Sequence, residues 1–320
     1  MKNFAEDQEN PWSGRISENQ LYLHEKVRPV PWDEMDFQEM EGAIALLGYS
    51  CDEGVQRNQG RPGARKGPYA IRKALGKLPN HLSQNAKFLD VGDVICKGNA
   101  LEEAQSNLAE KVTRLLGSGA FPILLGGGHD IAYGHYTGIR SHLGNSVRLG
   151  IINFDAHLDL RPPVNGPNSG TPFFQIAQDC RTQGFIFQYM CLGVREDANN
   201  AQLFKTAQEL GVTIINRSDF HMSNWSTVKG HLIEYLNSVD AIYTTIDLDG
   251  FSSAFAPGVS AASPMGYAPD IVLQSLDLII TSNKLVGLDL AEMNPAHDID
   301  NQTAKLAASL VHFVIHQWSK

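Results

Sequence analysis

Short apolar runs rich in β-branched residues alternate with helix-length segments along most of this chain, and that alternation is its strongest constraint on fold. Strand-like runs fall at 43–48, 87–91, 121–125, 149–154, 188–193, 212–215, 241–246 and 285–288. Helix-like segments fall at 67–78, 101–116, 130–143, 200–210, 225–238, 269–281 and 300–318. Strands that need a crossover helix to reach the next one build a parallel sheet covered on both faces. The expected class is therefore α/β. No Pro/Gly/Ser-rich linker or internal repeat interrupts the pattern, so one domain is expected over residues 41–320. Residues 1–40, with scattered charge, Pro29-Val30-Pro31 and three Trp or Tyr residues, read as an irregular lead-in that wraps it.

A parallel sheet presents ligands to the carboxyl ends of its strands, and polar residues stand at three such ends here. His129 follows Gly126-Gly127-Gly128; Asp155-Ala156-His157-Leu158-Asp159 follows 149–154; Asp247-Leu248-Asp249 follows 241–246. In extended backbone, residues at every second position share one face. The pattern thus places Asp155, His157 and Asp159 together, and Asp247 with Asp249. Clustered carboxylates repel one another unless cations lie between them. Oxygen and imidazole donors without thiolate favour a hard or borderline divalent ion such as manganese over a structural zinc. Two such ions, about 3.5 Å apart, generate a hydroxide nucleophile near neutral pH. The glycine triplet lacks the Lys-Ser/Thr ending of a phosphate loop and the spacing of a dinucleotide fingerprint. Its expected role is a tight turn and a close approach to ligand.

Composition narrows the function classes. A net charge of −9 argues against nucleic acid or an anionic membrane as partner. The N-terminus has no apolar core of a signal peptide and no run is long enough to span a bilayer, which points to a cytoplasmic enzyme acting on a small molecule. Cys51, Cys96, Cys180 and Cys191 show no metal or redox spacing and read as buried free thiols.

The run 52–64, Ala256-Pro257-Gly258 and Gly287-Leu288-Asp289-Leu290-Ala291-Glu292-Met293-Asn294-Pro295 complete the pattern. With these the chain resembles the ureohydrolases, which include arginase, agmatinase and formimidoylglutamase. The resemblance implies a three-layer α/β/α sandwich around an eight-stranded, mostly parallel sheet, two Mn2+ per subunit and a trimer or hexamer. It also implies one ion on His129, Asp155, Asp159 and Asp247, and the other on Asp155, His157, Asp247 and Asp249. Glu292 matches the family's acidic residue that holds the cationic amidine or guanidinium group, and Asp159 or Asp249 joins the metals in steadying the tetrahedral intermediate.

Where arginases and agmatinases carry a histidine, this chain has Ser169-Gly170-Thr171-Pro172-Phe173. That run resembles the formimidoylglutamase branch and implies hydrolysis of N-formimidoyl-L-glutamate to L-glutamate and formamide, a step of histidine breakdown. Two substrate carboxylates call for cationic and amide donors. Arg57, Asn58, Arg61, Ser169, Arg195, Asn199 and Asn200, together with Glu292, are the expected substrate contacts. The rival readings are another ureohydrolase releasing urea, a single-metal deacetylase, and a catalytically silent binding or regulatory protein.

Overall fold

The structure, a computed structural model, describes residues 10–319; the first nine residues of the expected lead-in lie outside the described residues. Its centre is a nine-stranded sheet in the order β1-β3-β2-β4-β9-β8-β5-β6-β7. The strands are β1 (Arg28–Pro29), β2 (Ile44–Ser50), β3 (Phe88–Ile95), β4 (Phe121–Leu125), β5 (Leu149–Phe154), β6 (Gln188–Val194), β7 (Thr213–Asn216), β8 (Ala241–Asp247) and β9 (Leu285–Ala291). Every neighbouring pair is parallel.

The helices are α1 (Leu23–Lys26), α2 (Glu53–Arg57), α3 (Gly67–Leu75), α4 (Leu101–Gly117), α5 (Ile131–Leu143), α6 (Pro172–Gln183), α7 (Ala201–Glu209), α8 (Trp225–Ser238), α9 (Pro269–Thr281) and α10 (Gln302–Trp318). Buried residues of α3, α8, α9 and α10 share one apolar cluster; those of α4, α5, α6 and α7 share the other. Strand β2 shows how one segment feeds both layers: Ile44 and Leu46 enter the first cluster, Ala45, Leu47 and Tyr49 the second. Such a strand is apolar on both faces and reads as a continuous run.

The eight expected strands are all present, and the ninth lies in the segment read as an irregular lead-in. Strand β1 is two residues long, exposed and paired to β3 alone, so it leaves no apolar period; Pro29 is tolerated there because an edge strand need not donate on both sides. The lead-in is also anchored: buried Trp12 donates its indole N–H to Asp90 Oδ2 at 2.6 Å. Arg72, fully buried, pairs with Asp90 at 2.8 Å and Asp93 at 2.6 Å. Helices α1, α2 and α6 have no counterpart among the expected segments. Helix α6 begins with Pro172 at its first position, a favoured N-terminal signal, but the Pro- and Gly-containing loop before it conceals the start. Helix α10 begins two residues later than expected because Asp300 and Asn301 take left-handed backbone, φ 50° and 57°.

Candidate metal centre

Strands β4, β9, β8 and β5 are consecutive in the sheet, and their carboxyl ends converge on one site. His129 follows β4, Asp155 to Asp159 follow β5, Asp247 ends β8 with Asp249 just beyond, and Glu292 follows β9. All six expected ligands come together in two groups, His129 with Asp155, Asp159 and Asp247, and Asp155 with His157 and Asp249. Asp155 is common to both: Oδ2 lies 3.2 Å from His129 Nδ1, and Oδ1 lies 3.3 Å from His157 Nδ1. Asp247 joins only the first group by proximity.

The local backbone differs from the extended alternation read from sequence. Asp155 Oδ1 accepts the His157 N–H at 2.7 Å, and Asp247 Oδ1 accepts the Asp249 N–H at 2.8 Å. Each motif is thus a turn closed by its own first aspartate. Asp159 has φ 47° and Glu292 φ 68°, both left-handed and uncommon for residues with a side chain. Turning, rather than strand alternation, gathers the carboxylates.

The backbone bends at Gly127 and Gly128, as expected of the triplet, without any of its members taking positive φ. A Cβ on Gly127 would lie 1.7 Å from the Cys51 carbonyl oxygen, and one on Gly126 would lie 2.5 Å from that of Leu290. The triplet lets the His129 loop lie directly against the ends of β2 and β9.

Proton counting shows what the cluster suits. His129 Nδ1 is 2.8 Å from Asp159, 3.1 Å from Asp247 and 3.2 Å from Asp155. One ring nitrogen carries at most one hydrogen, so no protonation state satisfies three carboxylates by direct bonds. Among the described residues Glu292 Oε2 is buried without a hydrogen-bond partner, and Asp249 Oδ1 has only His157 Nδ1 near it, at 3.2 Å. Burial, with Asp247 adding like-charge repulsion, pushes the carboxyls of Asp249 and Glu292 well up. Burial also raises Asp159, with Asp155 contributing repulsion. At Asp155 burial opposes ionisation, but hydrogen bonds with His129 and His157 outweigh it and hold the group low. Burial disfavours charge on His129 too, yet its carboxylate neighbours raise it well above the ordinary imidazole range. Buried charges of this kind persist when paired or when they coordinate metal. The oxygen and imidazole donors could hold divalent cations.

The site opens into a cleft of about 200 Å³ lined by Asn58, Ser169 and Glu292 among the expected substrate contacts. The other expected contacts do not line it. Arg57 is engaged by Glu53 at 2.9 Å and Glu102 at 2.7 Å. The Arg61 guanidinium donates to the carbonyls of Ser260 and Val259, and Arg195 pairs with Asp197. Asn199 accepts the Leu158 N–H and donates to Ala156 O, which braces the Asp155–Asp159 turn from behind. Asn200 caps α7 through the Leu203 N–H.

Arg161 lines the cleft, and sequence reasoning missed it. Its guanidinium makes no ion pair among the described residues, and its one hydrogen bond there runs to Asn58 Oδ1 at 3.4 Å. The signal was available: position 161 continues the every-second-residue run of 155, 157 and 159. The four cysteines are free and buried, as expected.

Comparison with known proteins agrees with this arrangement. The Arginase family matches residues 42–316. A formimidoylglutamase from Chromobacterium violaceum is 45% identical, over 93% of this chain and 95% of its own. One from Clostridium tetani is 38% identical, over 99% and 97% respectively. Among solved structures, Trypanosoma cruzi formiminoglutamase with Mn2+ superposes with a TM-score of 0.78 at 25% identity, covering 88% of this chain and 95% of that one. A parallel sheet whose central strand ends gather these carboxylates and imidazoles, matched over nearly its whole length by these relatives, belongs to a member of the arginase family.

Proposed function

We propose that this chain is a formimidoylglutamase, hydrolysing N-formimidoyl-L-glutamate to L-glutamate and formamide with two Mn2+ per subunit. The observation that carries the reading is the paired donor cluster sharing Asp155 at the floor of a cleft. The named relatives and the manganese of the T. cruzi structure support the choice of substrate and ion. Residues 41–320 form its single catalytic domain in this reading.

His129, Asp155, Asp159 and Asp247 would hold one ion, and Asp155, His157, Asp247 and Asp249 the other. When bound, such a pair supplies Lewis acidity and lowers the pKa of water. The protein's own groups do the rest. Glu292 offers its unpartnered Oε2 to the N–H groups of the cationic formimidoyl head, an ion-paired hydrogen bond that fixes the carbon in place. Arg161 stands at the cleft to receive a glutamate carboxylate, with Asn58 and Ser169 beside it; Asn58 Nδ2 donates to Ser169 Oγ at 3.1 Å. Asp159 and Asp249 line the same cleft and would steady the tetrahedral adduct. Water adds to the formimidoyl carbon, the bond to the glutamate nitrogen breaks, and that nitrogen leaves with a proton.

No described helix is long and apolar enough to cross a membrane. A cytoplasmic location and a trimer or hexamer belong to the same proposal, supported by the family relationship. The test is a manganese-supplemented assay of formimidoylglutamate beside arginine, agmatine and guanidinobutyrate. Formamide and glutamate from the first alone are expected; urea from any of the others overturns the substrate.

A further inference from the structure

Behind the proposed ligands lies a buried polar network that the reaction does not touch. Asp289 on β9 is fully buried and accepts three hydrogen bonds: from Thr245 Oγ1 at 2.5 Å, Tyr243 OH at 2.5 Å and His135 at 2.6 Å. The sheet itself sets this meeting, because Thr245 of β8 is directly paired with Asp289 of β9. Gly287, two residues before Asp289, leaves room for His135: a Cβ there would lie 2.6 Å from His135 Nε2. Thr245 Oγ1 also lies 3.0 Å from His129 Nε2. Three buried polar side chains of the sheet, joined by His135 from α5, are costly in an apolar interior unless they perform a task.

We infer that Asp289, acting through Thr245, fixes the tautomer of His129 and is a positioning residue for the metal centre. The inference rests on the metal reading above. A carboxylate only accepts, and a hydroxyl has a single hydrogen. Thr245 gives that hydrogen to Asp289, so toward His129 its oxygen can only accept. The neutral ring that ligates a cation must therefore carry its proton on Nε2. Its Nδ1, the atom facing Asp155, Asp159 and Asp247, is left with the lone pair that a cation requires. Outer partners of this kind orient a ligating imidazole and raise its basicity, and losing one typically lowers metal affinity about tenfold to a hundredfold.

The test is Mn2+ binding to chelator-stripped protein by calorimetry, with electron paramagnetic resonance to separate paired from single ions. Thr245→Val should weaken one of the two ions about tenfold to a hundredfold, so that single-ion signal replaces paired signal at limiting manganese. Thr245→Ser, which keeps the hydroxyl, should restore the paired signal, and Asp289→Leu, which removes the acceptor of the Thr245 hydrogen, should weaken the same ion. Melting in chelator identifies any variant that has merely lost its fold, and the valine and serine variants then decide. Two ions bound to folded Thr245→Val as tightly as to wild type overturn the inference alone. A wild type that binds no divalent ion overturns the metal reading and this inference with it.

Discussion

Glu292 Oε1 accepts the backbone N–H of His129 at 2.9 Å, so the acidic residue after β9 is tied to the main chain of the residue after β4. The bond holds one carboxylate oxygen and leaves Oε2 without a partner among the described residues. Replacing Glu292 by Gln preserves shape and the His129 bond but removes the charge that faces a cationic head. We expect kcat/KM to fall about a hundredfold or more, as when a group that stabilises developing charge is lost, with both manganese ions retained. Unchanged turnover would remove Glu292 from the site.

Asp247 contributes to the first donor group and closes the turn that carries Asp249. Asp247→Ala should abolish manganese binding and turnover together. A ligand bound only by the folded state at a hundred times its Kd adds about 2.7 kcal/mol. Saturating manganese should therefore raise the melting temperature of wild type and leave that of the variant unmoved. Full activity in Asp247→Ala would sink the metal centre.

Arg161→Met should act on substrate affinity. Hydrogen bonds to charged groups contribute about 1.5–3 kcal/mol, so KM for formimidoylglutamate should rise about tenfold to a hundredfold. An N-formimidoyl alkylamine without carboxylates should be hydrolysed equally by wild type and variant. A comparable loss on both compounds would mean that Arg161 supports the loop rather than the substrate.

Arg72, between Asp90 and Asp93, tests the scaffold apart from the chemistry. Removing one partner of a buried ion pair typically costs about 3–5 kcal/mol. Arg72→Met should lower the urea midpoint accordingly, and manganese affinity in the folded fraction should stay as in wild type. A midpoint equal to that of wild type would show the pairs to be without consequence.

Gly127→Ala places a methyl group against the Cys51 carbonyl, a backbone atom that cannot swing aside. Overpacking of this kind costs about 1–3 kcal/mol and occasionally more, and here the displaced loop is the one that carries His129. Stability and manganese affinity should both fall, as read by thermal melts with and without the ion.

The sequence displayed the sheet and the six donors because both depend on strong local signals: buried runs such as Ile44 to Ser50, and acidic or imidazole residues directly after them. It concealed what depends on contacts between distant residues. Arg57 closes α2 near a strand end, yet Glu102 from the first turn of α4 holds it, and Arg195 after β6 is taken up by Asp197, so neither lines the cleft as Arg161 does. Asn199 has the character of a substrate contact, and only the fold turns it toward the Ala156 carbonyl. The partner of Asp289 likewise follows from the strand register, which sets it opposite Thr245.

The strands that carry the donors are all interior to the sheet, with a hydrogen-bonded neighbour on each side, whereas β1 and β7 are its edges. Interior strands open to solvent only when the whole structure does. Slow amide exchange in β4, β5, β8 and β9 would therefore report global stability, and damage to this centre would come through unfolding of the entire molecule rather than through local fraying.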